Sequence, residues 1–320
     1  MKELQSFFLI RFHPPDPRSK FLPMKILITG ASGLIGRAVQ RSLFEKGHEL
    51  LLAGRSGPRS PDQIKWTVEN GFDRTEKLED LGAIIHLAGE NISAFRWTDA
   101  KKKAIRDSRV LGTRGVVDAM AALKQKPKVF ISGAAIGIYG DRGGEIMTES
   151  SAPGDTFLAG LSRDWEAESM RAEDLGVRTV LLRTGIVLSK EGGALAEMLT
   201  PFKFGVGGVI GSGRQWMSWI ALDDVVGAID LALENEDLKG PINLVSPNPI
   251  TNKEFTTTLT EVLQRPSFLP LPEFAVKLIF GEMGDALLLA STRVLPKRLD
   301  EAGYKFKFPN LKSALENALE

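Results

Sequence analysis

Gly30, Gly33 and Gly36 stand three residues apart in Gly30-Ala31-Ser32-Gly33-Leu34-Ile35-Gly36, between a short apolar run, Lys25 to Thr29, and a helically spaced stretch, Leu34 to Lys46. This is the spacing of a dinucleotide-binding turn. The first glycine permits the tight turn, the second lets backbone approach a pyrophosphate, and the third lets helix and strand pack closely, while the helix N-terminus supplies N–H donors and a favourable dipole. The expected cofactor contacts are Gly30, Ser32, Gly33, Leu34, Ile35, Gly36 and Arg37. After the next apolar run, His48 to Ala53, comes Gly54-Arg55-Ser56 in place of the acidic residue that usually binds ribose hydroxyls. A guanidinium fork at Arg55, assisted by Arg37, suits a 2′-phosphate, so the cofactor expected is NADP(H); the alternative for Arg55 is a solvated surface arginine.

A second group of chemistry-bearing residues follows the strand end His86-Leu87-Ala88-Gly89. Leu87, Ala88, Gly89, Glu90 and Arg96 are expected at the cofactor, with Ile186 further along, and Glu90 is expected to point towards its nicotinamide end. The Glu90 carboxylate has three readings: a base, a hydrogen-bonding partner of the ribose or carboxamide, or one half of an ion pair with Arg96. Tyr139 is a candidate acid or a packed structural tyrosine. Gly207 to Gln215 reads as a glycine-rich loop over a substrate, with Gly211, Arg214 and Gln215 as its contacts, or as a tight connection required by folding. Trp216 and Trp219 read as pocket wall or domain interface.

The elements that must position these groups alternate. Apolar runs at Ala83 to Leu87, Val129 to Ser132 and Val177 to Leu182 are separated by helical stretches that include Ala100 to Lys124 and Leu161 to Leu175. Strands joined by crossover helices imply a parallel sheet covered on both faces, hence an α/β, Rossmann-type doubly wound domain. Past Gly185 the rhythm changes: a glycine-rich stretch, Gly192 to Gly213, precedes a helix over Asp223 to Glu234 and a last sheet strand, Ile242 to Val245. Prolines then punctuate short helices at Thr251 to Gln264, Pro272 to Phe280, Glu282 to Ser291 and Leu311 to Leu319. The expected division is an NADP-binding domain of residues 24–185 and 220–245, with a smaller, mostly helical substrate domain of residues 186–219 and 246–320 closing a crevice over the carboxyl edge of the sheet. Residues 1–23 read as a disordered extension or an upstream translation start, with a degenerate targeting segment as runner-up.

Composition removes several functions. A chain of 320 residues, 43% hydrophobic, has material for a sizeable core. A formal charge of +1 and no basic run longer than Lys101-Lys102-Lys103 argue against nucleic acid as a partner, and that run reads as the solvated face of a helix. Without cysteine there is no disulfide, thiolate metal site or cysteine nucleophile, and His13, His48 and His86 are too scattered for a metal cluster, so no metal is expected. No stretch approaches the roughly 20 apolar residues of a membrane span. The expected location is the cytoplasm, or the plastid stroma in a photosynthetic eukaryote.

The glycine turn, His86-Leu87-Ala88-Gly89, Val110-Leu111-Gly112-Thr113 and Ile138-Tyr139-Gly140 occur in the order found in sugar-nucleotide epimerases and dehydratases. On these residues the chain resembles the extended short-chain dehydrogenase/reductase superfamily. Glu90-Asn91-Ile92, Arg96-Trp97, Ser108-Arg109, Asp164-Trp165-Glu166, Gly211-Ser212-Gly213, Ser218-Trp219-Ile220 and Val294-Leu295-Pro296 make it similar to an atypical epimerase-like subfamily, from about Met24 to the end. A plastid and cyanobacterial branch of that subfamily is associated with organelle or cell division, so the resemblance also implies a division-related protein partner. The resemblance implies an oxidoreductase or epimerase of a small hydroxylated or nucleotide-linked substrate, as a monomer or homodimer.

The superfamily mechanism uses Tyr-x-x-x-Lys with a Ser or Thr and an Asn. Here the tyrosine place falls on Phe157 or Leu158 and the lysine place on Leu161 or Ser162. The serine place falls on Ala134, leaving Ser132 as a substitute, and Arg109 stands for the asparagine. Glu90, Ser132 and Tyr139 are therefore the catalytic candidates; the alternative is a non-catalytic NADP-dependent regulator.

Overall fold

A computed structural model describes residues 23–93, 96–266 and 269–320. The expected N-terminal extension, Pro23 apart, lies outside them. Lys25–Thr29 (β1) is followed by Leu34–Glu45 (α1), whose Gly36, Val39 and Leu43 face the core, and by Glu49–Gly54 (β2). Gln63–Thr67 (β3) and Gly71–Phe72 (β4) form a hairpin that the sequence reading missed. Leu81–His86 (β5), Asp99–Ala122 (α2) and Val129–Ala135 (β6) continue the winding. Ile146–Met147 (β7) precedes Phe157–Met170 (α3), Arg178–Thr184 (β8) and Ile186–Leu188 (β9). The α3 helix starts four residues before the expected Leu161, because the Thr156 hydroxyl accepts from the Ala159 amide at 3.2 Å and fixes the N-terminus there.

Gly193–Lys203 (α4) occupies part of the stretch expected as glycine-rich connection. Trp216–Met217 (β10), Trp219–Ala221 (β11), Leu222–Glu234 (α5) and Gly240–Leu244 (β12) follow. Ile250–Thr251 (β13) leads to Asn252–Leu263 (α6), whose Thr251 and Glu254 form a reciprocal capping box. Glu273–Phe280 (α7) and a single turn, Glu282–Gly284 (α8), run into a wide π turn over Asp285–Leu289 instead of the expected helix to Ser291. Arg293–Val294 (β14), Lys297–Glu301 (α9) and Leu311–Leu319 (α10) end the chain.

The main sheet has the order β12-β8-β6-β5-β1-β2-β3-β4 and is parallel except for its β3–β4 edge. Apolar side chains leave both faces: Ile26, Ile28, Ile85 and Ile131 meet α1 and α5, whereas Leu27, Ile84 and Phe130 meet Val116, Val117 and Met120 of α2. This is the doubly wound Rossmann-type arrangement, with a smaller helical C-terminal region. The register sets Thr29 between Ala53 and His86, so the ends of β1, β2 and β5 meet at one edge beside the glycine turn. Among the described residues no helix is long and apolar enough to cross a membrane.

Candidate cofactor and active site

The glycine turn is built by contacts that only glycine allows. Gly30 has φ +70°, and a Cβ there would stand 2.7 Å from the Leu87 carbonyl carbon; a Cβ on Gly36 would overlap the Gly30 carbonyl oxygen. At Gly33 an added Cβ would meet only the Gly30 oxygen, at 3.2 Å. No side chain caps α1 at Gly33, which leaves the first-turn N–H groups available to an anion, and no acidic residue stands in that turn. This cradle fits a dinucleotide pyrophosphate.

The same edge is tied together beneath the surface. His86, fully buried, approaches the Thr29 hydroxyl through Nδ1 at 2.6 Å and the Thr113 hydroxyl through Nε2 at 3.1 Å. Burial pushes its pKa down to about 4, so the imidazole is neutral. Thr29 Oγ1 accepts from the Ala88 amide at 3.3 Å, and the Leu87 amide donates to the Thr29 carbonyl.

The remaining expected contacts take varied positions. Arg55 is exposed at the end of β2, near enough that its charge helps to lower the Glu90 pKa. Arg37 folds back, donating from Nη1 to the Ser32 carbonyl at 2.8 Å, with Glu191 at 3.8 Å. Glu191 immediately precedes the glycine-rich stretch, whose Gly192 and Gly193 lie against Leu34, within 3.9 and 3.6 Å of where their Cβ atoms would be. Ile186 is half-buried at the start of β9.

Glu90 pairs with Lys101, at 2.7 Å, and not with Arg96. That hydrogen bond holds its carboxyl below the usual range, with Lys101, Arg55 and Arg109 adding charge, so Glu90 is an anion and a weak base. Lys101, read as solvated, was missed because nothing in a lysine run marks which member meets a carboxylate across a loop. Arg96 instead donates to the carbonyls of Leu278 and Ile279, at the end of α7.

Two catalytic expectations are corrected. Ser132 is fully buried on β6 and hydrogen-bonded to Ser169 at 2.8 Å, so its hydroxyl packs sheet against helix. Tyr139 is also fully buried: its hydroxyl donates to Asn243 Oδ1 at 2.7 Å and accepts from Arg183 at 2.9 Å. Burial raises its pKa against the opposing effect of Arg183, and its proton is committed to Asn243. Gln215 is likewise corrected from ligand contact to loop support, since its amide donates to the carbonyls of Ile210 and Leu288 at 2.9 and 3.1 Å. Gly211 has φ +57° and bonds Leu271, while the Arg214 side chain is exposed.

The start of α3 is apolar. Phe157, Leu158 and Leu161, on the first turns of α3, pack with Trp97, Ile105 and Val110 and with Phe280, Met283 and Leu287 from the C-terminal region. Ser162 is buried. Beside this cluster Arg109 donates to the Glu90 carbonyl at 2.9 Å and lies 5.2 Å over the Trp165 ring. An open cavity of about 430 Å³ adjoins the start of α3, with Tyr139, Gly140, Asp155 and Arg163 in its wall.

A model of the NAD dependent epimerase/dehydratase family matches residues 26–244, from the first core residue of β1 to the end of β12. The chain belongs to this family. Within the epimerase/dehydratase family it lies among the extended short-chain dehydrogenases/reductases, and residues 271–318 match a second model, a domain of unknown function, DUF1731. An epimerase family protein of Mycobacterium bovis is 40% identical over 294 residues, covering 91% of this chain and 96% of that one. Human epimerase family protein SDR39U1 is 35% identical over 296 residues, 92% and 99% of the two chains, and its chloroplastic homolog from Arabidopsis thaliana is 38% identical over 305, covering 93% and 87%. The crystal structure of the human protein (isoform 2) with NADPH superposes with TM-score 0.84 at 34% identity, covering 93% of this chain and all of that one. A Bacillus cereus UDP-glucuronic acid 4-epimerase in complex with NAD, at 17% identity and TM-score 0.73 over 92% and 96% of the chains, shares the fold.

Proposed function

We propose that this chain is an NADP(H)-binding, epimerase-like short-chain dehydrogenase/reductase that lacks the Tyr-x-x-x-Lys proton relay. The observation that carries the reading is the glycine cradle flanked by Arg55: backbone N–H groups receive the pyrophosphate, and the exposed guanidinium at the end of β2 receives the 2′-phosphate. The NADPH of the human relative supports the same reading. When bound, the dinucleotide supplies hydride chemistry. Around it Glu90 holds an anionic carboxylate beside Lys101, and Phe157, Leu158 and Leu161 offer an apolar surface with no proton-donating group. Any reduction of a carbonyl then takes its proton from solvent, since Tyr139 and Ser132 are enclosed.

The test is a fluorescence titration with NADPH and NADH. NADPH binds more tightly than NADH, and Arg55→Ala weakens NADPH by at least about tenfold while leaving NADH within about twofold. Equal affinities in the wild type, or an unaffected variant, sink the cofactor assignment.

The apolar filling favours a second reading, a non-catalytic protein whose NADP-bound state controls a partner. Nicotinamide absorbance followed with NADPH and a panel of carbonyl acceptors separates the two: turnover supports an enzyme, and binding without turnover supports the regulator.

A further inference from the structure

Helix α7 is apolar on two opposite faces. Val276 is fully buried, and Phe280, one turn further, joins Met283 and Leu287 against Phe157. Two residues to either side of Val276, hence about 200° round the helix, Phe274 and Leu278 are 72% and 70% exposed. A helix that is apolar on both sides is normally covered on both. The outer stripe also continues beyond α7. Leu269, just ahead of the helix, is exposed, as are Phe204 and Val206, which follow α4. These two stretches are strapped together: the Leu271 amide donates to the Val209 carbonyl at 2.9 Å, and the Gly211 amide donates to the Leu271 carbonyl at 2.8 Å.

Five of the eight large apolar side chains exposed among the described residues therefore belong to this one region, whereas Phe44, Leu111 and Ile146 are scattered over α1, α2 and β7. Together the five present on the order of 500 Å², a large part of the roughly 800 Å² per partner in a standard interface. The charges beside the stripe select its occupant. Glu273 and Lys277 run along one flank of Phe274 and Leu278, paired at 2.7 Å, and both are more than half exposed. One acid with one base offers no attraction to an anionic lipid surface, which is recognised by clustered cations. It does match a second copy of the same helix. With a two-fold axis crossing α7 at Ala275, an antiparallel copy sets each Glu273 against the partner's Lys277. At a rise of about 1.5 Å per residue, the two Phe274 rings then fall side by side between the two Leu278 side chains.

We propose that the outer face of α7, with Phe204, Val206 and Leu269 beside it, is the surface through which two copies of this chain associate, antiparallel about a two-fold axis at Ala275. The inner face of the same helix ends at Phe280 beside Phe157, so this interface backs directly onto the candidate site.

The test is sedimentation equilibrium of the full chain at low ionic strength, without cofactor, from about 1 to about 200 μM, where the wild type forms a dimer that dissociates in the micromolar range. Phe274→Ser with Leu278→Ser raises the dissociation constant at least about tenfold, whereas Phe44→Ser, on α1, leaves it within about twofold. Charge reversal reads the axis. Glu273→Lys and Lys277→Glu, made singly, each weaken self-association at least about threefold, and the double variant that exchanges the two charges recovers it. Mixed together, the two single variants associate more tightly than either does alone, since each then meets the opposite charge across the axis. A wild type that stays monomeric throughout overturns the proposal, and if it co-sediments with phosphatidylglycerol vesicles the patch belongs to lipid instead. A dimer indifferent to the paired serine substitutions overturns it too. So does a mixture that associates no more tightly than its components.

Discussion

Arg183 and Glu166 face each other across the buried layer between β8 and α3 through two parallel hydrogen bonds, and the remaining guanidinium nitrogen, Nη1, reaches the Tyr139 hydroxyl and the Glu149 carbonyl. Burial opposes the charge on Arg183, but the Glu166 carboxylate outweighs it and the net effect is to raise the arginine pKa. Tyr139 thereby belongs to a structural network that ends at Asn243, whose own amide N–H is held by Glu149. Breaking the pair leaves a buried charge alone. Glu166→Gln is expected to destabilise the fold by about 3–5 kcal/mol, measured by urea unfolding, and Tyr139→Phe by about 1–2 kcal/mol. If Tyr139→Phe instead abolished turnover at unchanged stability, the structural assignment of Tyr139 would be wrong.

The glycines of the turn are not equivalent. An alanine at Gly36 must displace the Gly30 carbonyl, whereas one at Gly33 meets that oxygen at 3.2 Å and nothing else nearby. Gly36→Ala is expected to lower the melting temperature by several degrees and to abolish NADPH binding, a loss of about 1–3 kcal/mol. Gly33→Ala should leave the melting temperature close to wild type while weakening NADPH, because the methyl group projects where a pyrophosphate approaches. Calorimetry of both variants decides it; equal melting temperatures would count against the packing account.

His86 gives the fold a pH dependence. In the unfolded chain its imidazole titrates near 6.5, and in the fold burial holds it near 4. Its contribution is complete above about pH 6.5. As the pH falls towards 4 the unfolded state takes up a proton that the folded state refuses, so stability is lost across that window, by up to roughly 3 kcal/mol. Urea midpoints at pH 7.5 and pH 5 should therefore differ less in His86→Gln than in the wild type, although the variant is weaker at both. Identical differences in the two proteins would remove His86 as the cause.

A lysine introduced at the start of α3 should not be tolerated. Leu161 is buried against Trp97, Ile105, Val110 and Met283, so Leu161→Lys, even with Phe157→Tyr, brings an ammonium into an apolar cluster. Thermal unfolding should show a loss of at least about 3 kcal/mol and no gain in carbonyl reduction. A stable, active double variant would show that the cluster is able to open around a charge.

The glycine turn and the parallel sheet were legible because their signals are local: spacing of glycines, runs of apolar residues, and helical periodicity between them. The α4 helix was not, because Gly192, Gly193 and Pro201 look like a connection, although Pro201 stands near the helix end and Leu195, Leu199 and Phe202 do follow helical spacing into the core. The turn at Asp285–Leu289 was hidden because Gly284 packs against Val276, within 2.7 Å of where its Cβ would be, a contact that periodicity within one segment does not contain. Site partners were least visible. Glu90 with Lys101, Arg183 with Glu166 and Ser132 with Ser169 are chosen by which helices cross the sheet edge, and the apolar lining at Phe157 gains Met283 from more than a hundred residues away.

Gly185 lies 2.6 Å, at its absent Cβ, from the Ser218 carbonyl oxygen, and its amide donates to Leu244 at 3.0 Å. The next amide, Ile186, donates to Ser218, and that of Ser246 donates to Trp219. The three stretches by which the backbone leaves or re-enters the main sheet are thus laced into one small junction. A side chain introduced at Gly185 would therefore disturb all three stretches at once, since the Ser218 carbonyl it would strike is the same one that accepts from Ile186.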